Sequence, residues 1–313
     1  MRDRLTRLGY VVVAGVAILT AASMLGRLPY FELATHFRLQ YAVGASLAAA
    51  LLATVRAWPG AALAVVCAAA NWGHVVPYYV ADPPAAHGGA TIPVRLMLAN
   101  LYYRNRDYGS FVDAVRRERP DAIVLQELTD KWWAGVSELR HEFPHHYAIP
   151  RKGGSGIGIL SRYPLEHAEL LGFDDSLQPG IVARLDVEGT PLTVLAIHPP
   201  TPLRAAKLAF RNKQLVESAA RMRETEGAKV LIGDLNTSPW SPYFLDLVRE
   251  SGLRDARAGS GVWPTWPAPL PPFMKIPIDH CLVGEGVRVD RIRAGEWLGS
   301  DHLPLVVDVA IAR

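Results

Sequence analysis

The sequence places acidic, amide and imidazole side chains at the ends of four apolar, β-rich runs. VRLMLAN ends on Asn100, AIVLQE on Glu127, LTVLAIH on His198, and KVLIGDLN on Asp234 and Asn236. In α/β enzymes, sites are assembled from several chain segments at strand ends that share one edge of a sheet. Each ending alone is typical of a turn, but four together predict that these side chains meet in one pocket.

Two Asp-His dipeptides follow near the carboxy terminus, Asp279-His280 and SDHLP at 300–304. Carboxylates, amides and imidazoles without a thiolate suit a hard divalent cation and a phosphate ester. Cys67 and Cys281 are the only cysteines, which excludes a zinc site built from thiolates and makes a disulfide between them unexpected.

The segments between these motifs alternate strand and helix patterns. We predict helices over 108–118, 131–143, 203–223 and 241–250. We predict strands over 94–100, 122–126, 156–161, 181–187, 191–198, 229–233, 278–283 and 305–311. This alternation indicates an α/β domain without selecting one α/β fold.

Taken in order, the motifs Asn100, Gln126-Glu127, His198, GDLN (233–236), Ile278-Asp279 and SDHLP (300–304) resemble those of the endonuclease/exonuclease/phosphatase superfamily. That superfamily includes deoxyribonuclease I-like nucleases, abasic-site endonucleases, neutral sphingomyelinases and inositol-polyphosphate phosphatases. The whole chain is similar to a bacterial membrane-anchored subgroup of it. The resemblance implies a four-layer α/β sandwich of two mixed β-sheets flanked by helices, over residues 93–313.

The resemblance also implies a metal centre. Glu127 corresponds to the principal ligand of Mg²⁺, with Mn²⁺ as an alternative, and Asn100 and Asp301 complete the shell directly or through water. Magnesium keeps several waters and few protein carboxylates, so this sparse set is sufficient.

The remaining motif residues correspond to catalytic groups. Asp234 orients and deprotonates the attacking water, and Asn236 holds that water or a phosphate oxygen. His302, oriented by Asp279, stabilises developing negative charge on the phosphate, and His198 donates to a phosphate oxygen. The implied reaction is in-line hydrolysis of a phosphoester.

Some residues depart from the family pattern or stand apart from it. Tyr102 stands where relatives often have a second polar residue, so a second metal contact from that loop is not expected. Asn105 and Asp107 are interpreted as loop residues. His280 follows Asp279 in a strand, where successive side chains point to opposite faces, so it is not expected to act directly.

The function implied is a membrane-anchored, metal-dependent phosphoesterase acting on phosphodiesters, or on phosphomonoesters. Its substrate is lipid-derived, a cell-envelope component or nucleic acid, and no obligate protein partner is expected. The alternative from another class is a non-catalytic, membrane-tethered module that binds phosphate or lipid on the same fold. A third reading, an intramembrane transporter or sensor using Asn71 and His74, predicts that the spans alone would retain function.

The membrane interpretation comes from residues 1–80. Apolar stretches at 8–25, 41–55 and 58–80 predict three transmembrane helices, with two as the alternative count. A cleaved signal peptide ending near Ala21-Ala22-Ser23 is the alternative for the first stretch. Asn71 and His74 are predicted at the lipid headgroup boundary, and the Pro/Gly-rich residues 81–92 are predicted to be a linker.

The arginines predict the orientation. Arg2, Arg4, Arg7 and Arg56 fall on one side of a three-span arrangement, and the positive-inside bias makes that side cytoplasmic. The chain is then integral to the inner cell membrane, with its catalytic domain on the extracytoplasmic side. Two spans would reverse this orientation.

Charge and composition say less about the substrate. Residues 1–90 hold six basic and three acidic residues, and the remainder of the chain holds 27 of each. This balance gives no argument for a polyanion-binding surface on the globular domain, and it argues mildly against a processive DNA enzyme. Two further segments of the sequence each allow two interpretations. Arg204, Lys207, Arg211 and Lys213 form a solvated helix face or a phosphate-binding rim, and the Trp/Pro-rich loop 262–273 is a substrate-binding lip or a rigid cover.

Overall fold

A computed structural model describes residues 1–85, 89–173 and 178–313. Residues 86–88, which belong to the predicted linker, and residues 174–177 lie outside the described residues.

The chain begins with helices that are apolar on their outer surfaces. These are α1 (Arg2–Met24), a 3-10 helix (Phe31–Phe37), α2 (Arg38–Thr54), α3 (Trp58–Val75) and α4 (Pro77–Val80). In the described part of the chain, Arg2–Met24 and Phe31–Thr54 are long and apolar enough to cross a membrane, a property that a signal sequence shares. Val11 and Ile18 of α1 are exposed, unlike the apolar residues of a core helix in a soluble protein.

α1, α2 and α3 pack against one another as an up-down-up bundle. Small residues such as Gly9 and Ala64 let the helices approach closely, and a Cβ on Gly9 would lie 2.6 Å from Leu52. The predicted third span, 58–80, is divided at Val76 between α3 and α4, because proline at 77 interrupts the helix.

Asn71 lies inside this bundle. Its side chain accepts a hydrogen bond from Arg38 and donates to Thr20 and to the Cys67 carbonyl. Asn71 thus satisfies polar groups between the helices, near the end of the bundle that contacts the globular domain.

Twelve strands in the described residues form two six-stranded sheets. The first sheet has the order β11 (Val287–Ala294), β12 (Leu305–Ala312), β1 (Thr91–Asn100), β2 (Ala122–Gln126), β4 (Ile157–Ser161), β3 (His145–Ile149). The second has the order β5 (Leu165–Leu171), β6 (Gly180–Val187), β7 (Thr190–Ile197), β8 (Ala228–Asp234), β10 (Asp279–Val283), β9 (Arg254–Asp255).

The two sheets face each other with helices on both outer sides. Alternate residues of β1 divide between two cores: Leu96 and Leu98 enter the core between the sheets, whereas Met97 packs under the helices. α5 (Tyr108–Glu118), α6 (Asp130–Gly135) and α7 (Leu139–Glu142) cover the first sheet, and α8 (Ala205–Glu224) and α9 (Pro242–Ser251) cover the second. The predicted four-layer sandwich of two mixed sheets is confirmed.

One predicted helix differs from the structure. The segment 131–143 is not continuous, because α6 ends at Gly135 and α7 begins at Leu139. Val136 and Leu139 are both fully buried against the first sheet. The break lets two short helices press apolar side chains onto the sheet.

Candidate active site

The ends of five strands, drawn from both sheets, meet at one place. β1 and β2 run parallel with Asn100 opposite Gln126, so their carboxyl ends share an edge. β7 and β8 are also parallel, and β10 runs antiparallel to β8 with Asp279 opposite Asp234. Two parallel pairs, one in each sheet, thus bring the polar residues that follow them together.

Gln126 ties the two sheets together beneath the site. Its buried amide donates to the Ile197 carbonyl at 2.7 Å and accepts from the Asp234 backbone amide at 3.0 Å. Gly233 makes this approach possible, since a Cβ there would lie 1.9 Å from the Ile197 carbonyl oxygen. Gln126 therefore fixes the position of Asp234 relative to the first sheet.

Glu127 and Asp234 face a common amide. Asn100 Nδ2 lies 3.4 Å from Glu127 Oε1 and 3.4 Å from Asp234 Oδ2, and Asn100 Oδ1 accepts from the Tyr102 backbone amide. Glu127 also accepts from the Tyr103 backbone amide at 2.9 Å, and its φ of 56° turns the chain sharply after β2. Two carboxylates from different sheets thus share one small volume.

Asp234 is buried and surrounded by donors. The Asn236 backbone amide donates to it at 2.9 Å, and His198 Nε2 lies 3.4 Å from Oδ2. Burial raises the pKa of Asp234, but His302 and His198 outweigh burial and hold the pKa below its usual value. Burial lowers the pKa of His198, but Asp234 and Glu127 outweigh it and raise that pKa. Both pKa shifts favour the charged forms, a carboxylate on Asp234 and an imidazolium on His198.

His302 lies between two carboxylates. Its Nδ1 is 2.8 Å from Asp279 Oδ2 and its Nε2 is 3.6 Å from Asp234 Oδ2. Burial lowers the pKa of His302, but Asp279 and Asp234 outweigh burial and raise the pKa to about 10. Asp279 is itself fixed by a hydrogen bond from Thr265. A charged imidazole oriented in this way can stabilise negative charge on a phosphate.

Asp301 supplies an oxygen that suits a cation. Among the described residues no donor pairs with its buried Oδ1, while its Oδ2 lies 3.4 Å from Trp266 Nε1. A buried carboxylate oxygen without a donor is costly unless a positive charge lies near it. Together with Glu127 it supplies carboxylate oxygens, which fit Mg²⁺ or Mn²⁺. Asn100 presents its Nδ2 to Glu127, so its oxygen would reach a metal there only after the amide turns over.

A second grouping could also hold a metal ion. Ligand atoms of Asp234, Asp279 and His302 lie within 4.8 Å of one another. Each ring nitrogen of His302 faces one of the two carboxylates, however, and an imidazolium offers no lone pair to a metal. We therefore interpret this group as a hydrogen-bonded Asp-His-Asp chain.

A buried group that no sequence motif indicated supports the β8–α9 loop, residues 235–241. Glu32, in the 3-10 helix, accepts hydrogen bonds from Arg211, Thr237 and Ser241, and all four residues are buried. Arg211 also donates to the Asn236 carbonyl at 3.2 Å. Arg211 is neither a solvated nor a phosphate-binding residue, so both earlier readings of it are wrong. No local pattern joins residues 179 positions apart.

The other predicted residues have plain structural positions. Asp107 caps α5 through the Ser110 amide, and Asn105 donates to the Leu298 carbonyl. The His280 ring is buried between Arg257 and the Thr237 carbonyl, on the other face from Asp279. In the Trp/Pro-rich loop, Trp266 lines the cavity at the site, which favours the reading as a substrate-binding lip.

Comparison with protein families gives one match over most of the globular domain. The Endonuclease/Exonuclease/phosphatase family matches residues 97–302, which include Asn100 at the first strand end and reach His302.

Similar proteins include enzymes named for phospholipid cleavage. The inositol phosphosphingolipids phospholipase C of Saccharomyces cerevisiae is 27% identical over 170 residues, covering 46% of this chain and 35% of that protein. The chain thus matches little more than a third of this relative's length.

Solved structures agree on the fold. Humanized D. rerio TDP2 superposes with a TM-score of 0.58 and 17% identity, covering 69% of this chain and 98% of that chain. Sphingomyelinase C from Streptomyces griseocarneus superposes with a TM-score of 0.54 and 17% identity, covering 71% of this chain and 100% of that chain. At such identities the similarity establishes the fold alone.

Proposed function

Because the chain belongs to the endonuclease/exonuclease/phosphatase family, whose members hydrolyse phosphoesters, we propose that it is a membrane-anchored, divalent-metal-dependent enzyme that hydrolyses phosphodiester bonds. Its candidate substrates are lipid-derived compounds, cell-envelope components and nucleic acid. Phosphomonoesters are the alternative to phosphodiesters as the bond that it cleaves. The main support is that Glu127, Asp234 and His302 come from three distant chain segments and line one cavity.

The metal is assigned to Glu127, Asn100 and Asp301. The oxygen donors and the unpaired Asp301 Oδ1 support this assignment. A bound Mg²⁺ or Mn²⁺ would neutralise charge on the phosphate and hold it for attack.

Asp234 is assigned as the group that orients the attacking water and takes its proton. The water oxygen bonds to phosphorus, the proton passes to Asp234, and the bond between phosphorus and the leaving oxygen breaks in line. His302, held by Asp279, and His198 donate hydrogen bonds to phosphate oxygens. Asn236, whose amide lies 3.4 Å from Asp234 Oδ2, holds the water or a further phosphate oxygen.

The membrane part of the proposal assigns residues 1–80 to the bilayer, 81–92 to a linker and 93–313 to the catalytic domain. The globular domain contacts the end of the helical bundle that contains the 3-10 helix. The opposite end contains Arg2, which donates to the Val55 carbonyl. Arg4 and Arg7 follow Arg2 in the sequence, and Arg56 follows Val55. This distribution supports an extracytoplasmic catalytic domain in the inner membrane.

The test is hydrolysis of bis-p-nitrophenyl phosphate by the full chain in detergent with Mg²⁺ or Mn²⁺. Glu127→Gln and Asp234→Asn should each lower kcat by about 100-fold or more. The exposed residues Glu138 and Asp290 give matched controls, Glu138→Gln and Asp290→Asn, which should leave the rate unchanged. Equal rates for the two site variants and the parent would refute the role assignments. Phosphate-ester binding without turnover would favour the binding module.

A further inference from the structure

The cavity at the catalytic cluster has one polar and one apolar side. It encloses about 360 Å³, and Glu127, Asp234 and His302 line its polar side. Leu33 and Phe37 of the 3-10 helix line the other side. Three side chains of the globular domain complete that side: Leu203, Trp266 and Ile276. A ligand with its phosphate at the polar side therefore has space for hydrocarbon beside it.

A second cavity, of about 480 Å³, extends from the same catalytic residues. It shares Glu127 and His198 with the first cavity, but Tyr103, Ser155 and Lys207 line its wall. A phosphodiester carries two ester substituents. If the phosphate lies at Glu127 and His198, one substituent enters the first, apolar cavity and the other enters the second cavity, which has hydroxyl and ammonium groups.

The first, apolar cavity opens where the N-terminal helices, two of which are apolar enough to cross a membrane, contact the globular domain. Leu33 and Phe37 belong to Phe31–Thr54, one of the two stretches apolar enough to cross a bilayer. Gln40 donates to the Lys275 carbonyl at 2.8 Å and so joins α2 to the loop beside it. In that loop Phe273 is 70% exposed, and Leu203 at the cavity is 66% exposed. Exposed apolar side chains of this size and position suit a lipid surface.

The same cavity is poorly suited to nucleic acid. Among the described residues that line it there is no lysine or arginine, whereas proteins bind polynucleotides largely through such residues.

We propose that the substrate is a membrane lipid phosphodiester, with its hydrocarbon in the cavity built by the 3-10 helix and its headgroup in the second cavity. The inference rests on the proposed phosphodiesterase activity and on the membrane anchoring. It makes the N-terminal segment part of the substrate-binding site as well as an anchor.

The experiment compares alkyl phosphoglycerols whose chains have one, four and eight carbons, all below micelle-forming concentration, with a thymidine dinucleotide. The full chain is used in detergent with Mn²⁺, and products are quantified by mass spectrometry. Burial of each methylene should raise kcat/KM by about fourfold until the cavity is filled. Leu33→Ser and Leu203→Ser should flatten this dependence on chain length. Val216→Ser, at a residue 68% exposed on α8, should keep it.

The possible outcomes separate the two proposals. Hydrolysis of the methyl ester with no dependence on chain length would overturn the lipid inference and leave the phosphodiesterase proposal standing. Preference for the dinucleotide over the octyl ester would also overturn it, in favour of nucleic acid. No turnover of any diester would refute the phosphodiesterase proposal itself.

Discussion

Asp279 distinguishes two interpretations of the catalytic cluster. In our account it orients His302, through the 2.8 Å contact to Nδ1, and does not bind the metal. Asp279→Asn should therefore lower kcat, on the order of 100-fold, because His302 would lose the carboxylate that aims its charged ring at the phosphate. The Mn²⁺ concentration that gives half-maximal activity should not change.

A metal role for Asp279 would give a different result. If Asp234, Asp279 and His302 bind the ion, the same substitution should raise the half-maximal Mn²⁺ concentration at least as strongly as it lowers kcat. A metal titration of the variant and the parent, with Asp290→Asn as the control, decides between the two.

Gly233 packs against the neighbouring strand of its own sheet and against Gln126 of the other sheet. A Cβ at this position would lie 1.9 Å from the Ile197 carbonyl oxygen and 2.8 Å from Gln126 Nε2. Gly233→Ala should lower the free energy of unfolding by about 1–3 kcal/mol, since backbone must shift to admit the methyl group. The matched control is Gly109→Ala on α5, where nothing lies within 4 Å and alanine favours the helix. Denaturant unfolding of both variants tests this, and a Gly233→Ala variant as stable as the parent would contradict it.

At the scale of elements, the sequence predicted central strands well and edge strands poorly. The four strands missing from the prediction are β3, β5, β9 and β11, and each is the terminal strand of its sheet. An edge strand has neighbours on one side only, so it keeps exposed residues among its buried ones, as in β11, instead of forming an apolar run. The central strands are apolar throughout because sheet and helices cover both faces.

The same distinction applies to the site. The motif residues at strand ends could be predicted because the strands are recognisable from the local sequence and their ends share one edge of a sheet. Glu32 could not, because its partners Arg211, Thr237 and Ser241 become its neighbours only when the helical bundle packs on the domain.

The buried ion pair and hydrogen bonds of Glu32 should couple the stability of the 3-10 helix to that of the β8–α9 loop, residues 235–241. Glu32→Ala leaves Arg211 buried without its carboxylate, which should cost about 3–5 kcal/mol of stability. Arg27→Ala is the control, because it removes a second ion pair described between these parts, Arg27 with Asp246, and leaves the Asp246 pair with Arg249 in place. The pair of Arg27 with Asp246 is exposed and should contribute about 1 kcal/mol or less. Thermal unfolding in detergent measures both, and equal losses would contradict the coupling.

For the whole molecule, the N-terminal helices and the sandwich are joined by buried contacts. The 3-10 helix supplies both the Glu32 carboxylate and a wall of the cavity. A fragment beginning at residue 91 would leave Arg211 unpaired and the cavity open, so the full chain is the proper object for functional assays.

The orientation of this unit can be measured directly. A reporter active only in the cytoplasm, fused after Arg313, should be inactive, and one active only outside the cytoplasm should be active, because three spans place the domain on that side. The reverse result would contradict the three-span arrangement and favour two spans.

The proposed mechanism depends most on one assignment, that Glu127, Asn100 and Asp301 of the first sheet hold a divalent ion beside Asp234 of the second. The most direct measurement is Mn²⁺ binding to the full chain by electron paramagnetic resonance, compared between the parent, Glu127→Gln and the control Glu138→Gln. We predict that the parent and the control bind Mn²⁺ with equal affinity and that Glu127→Gln weakens binding by about tenfold or more. Equal Mn²⁺ affinity in all three proteins would show that Glu127 does not bind the ion.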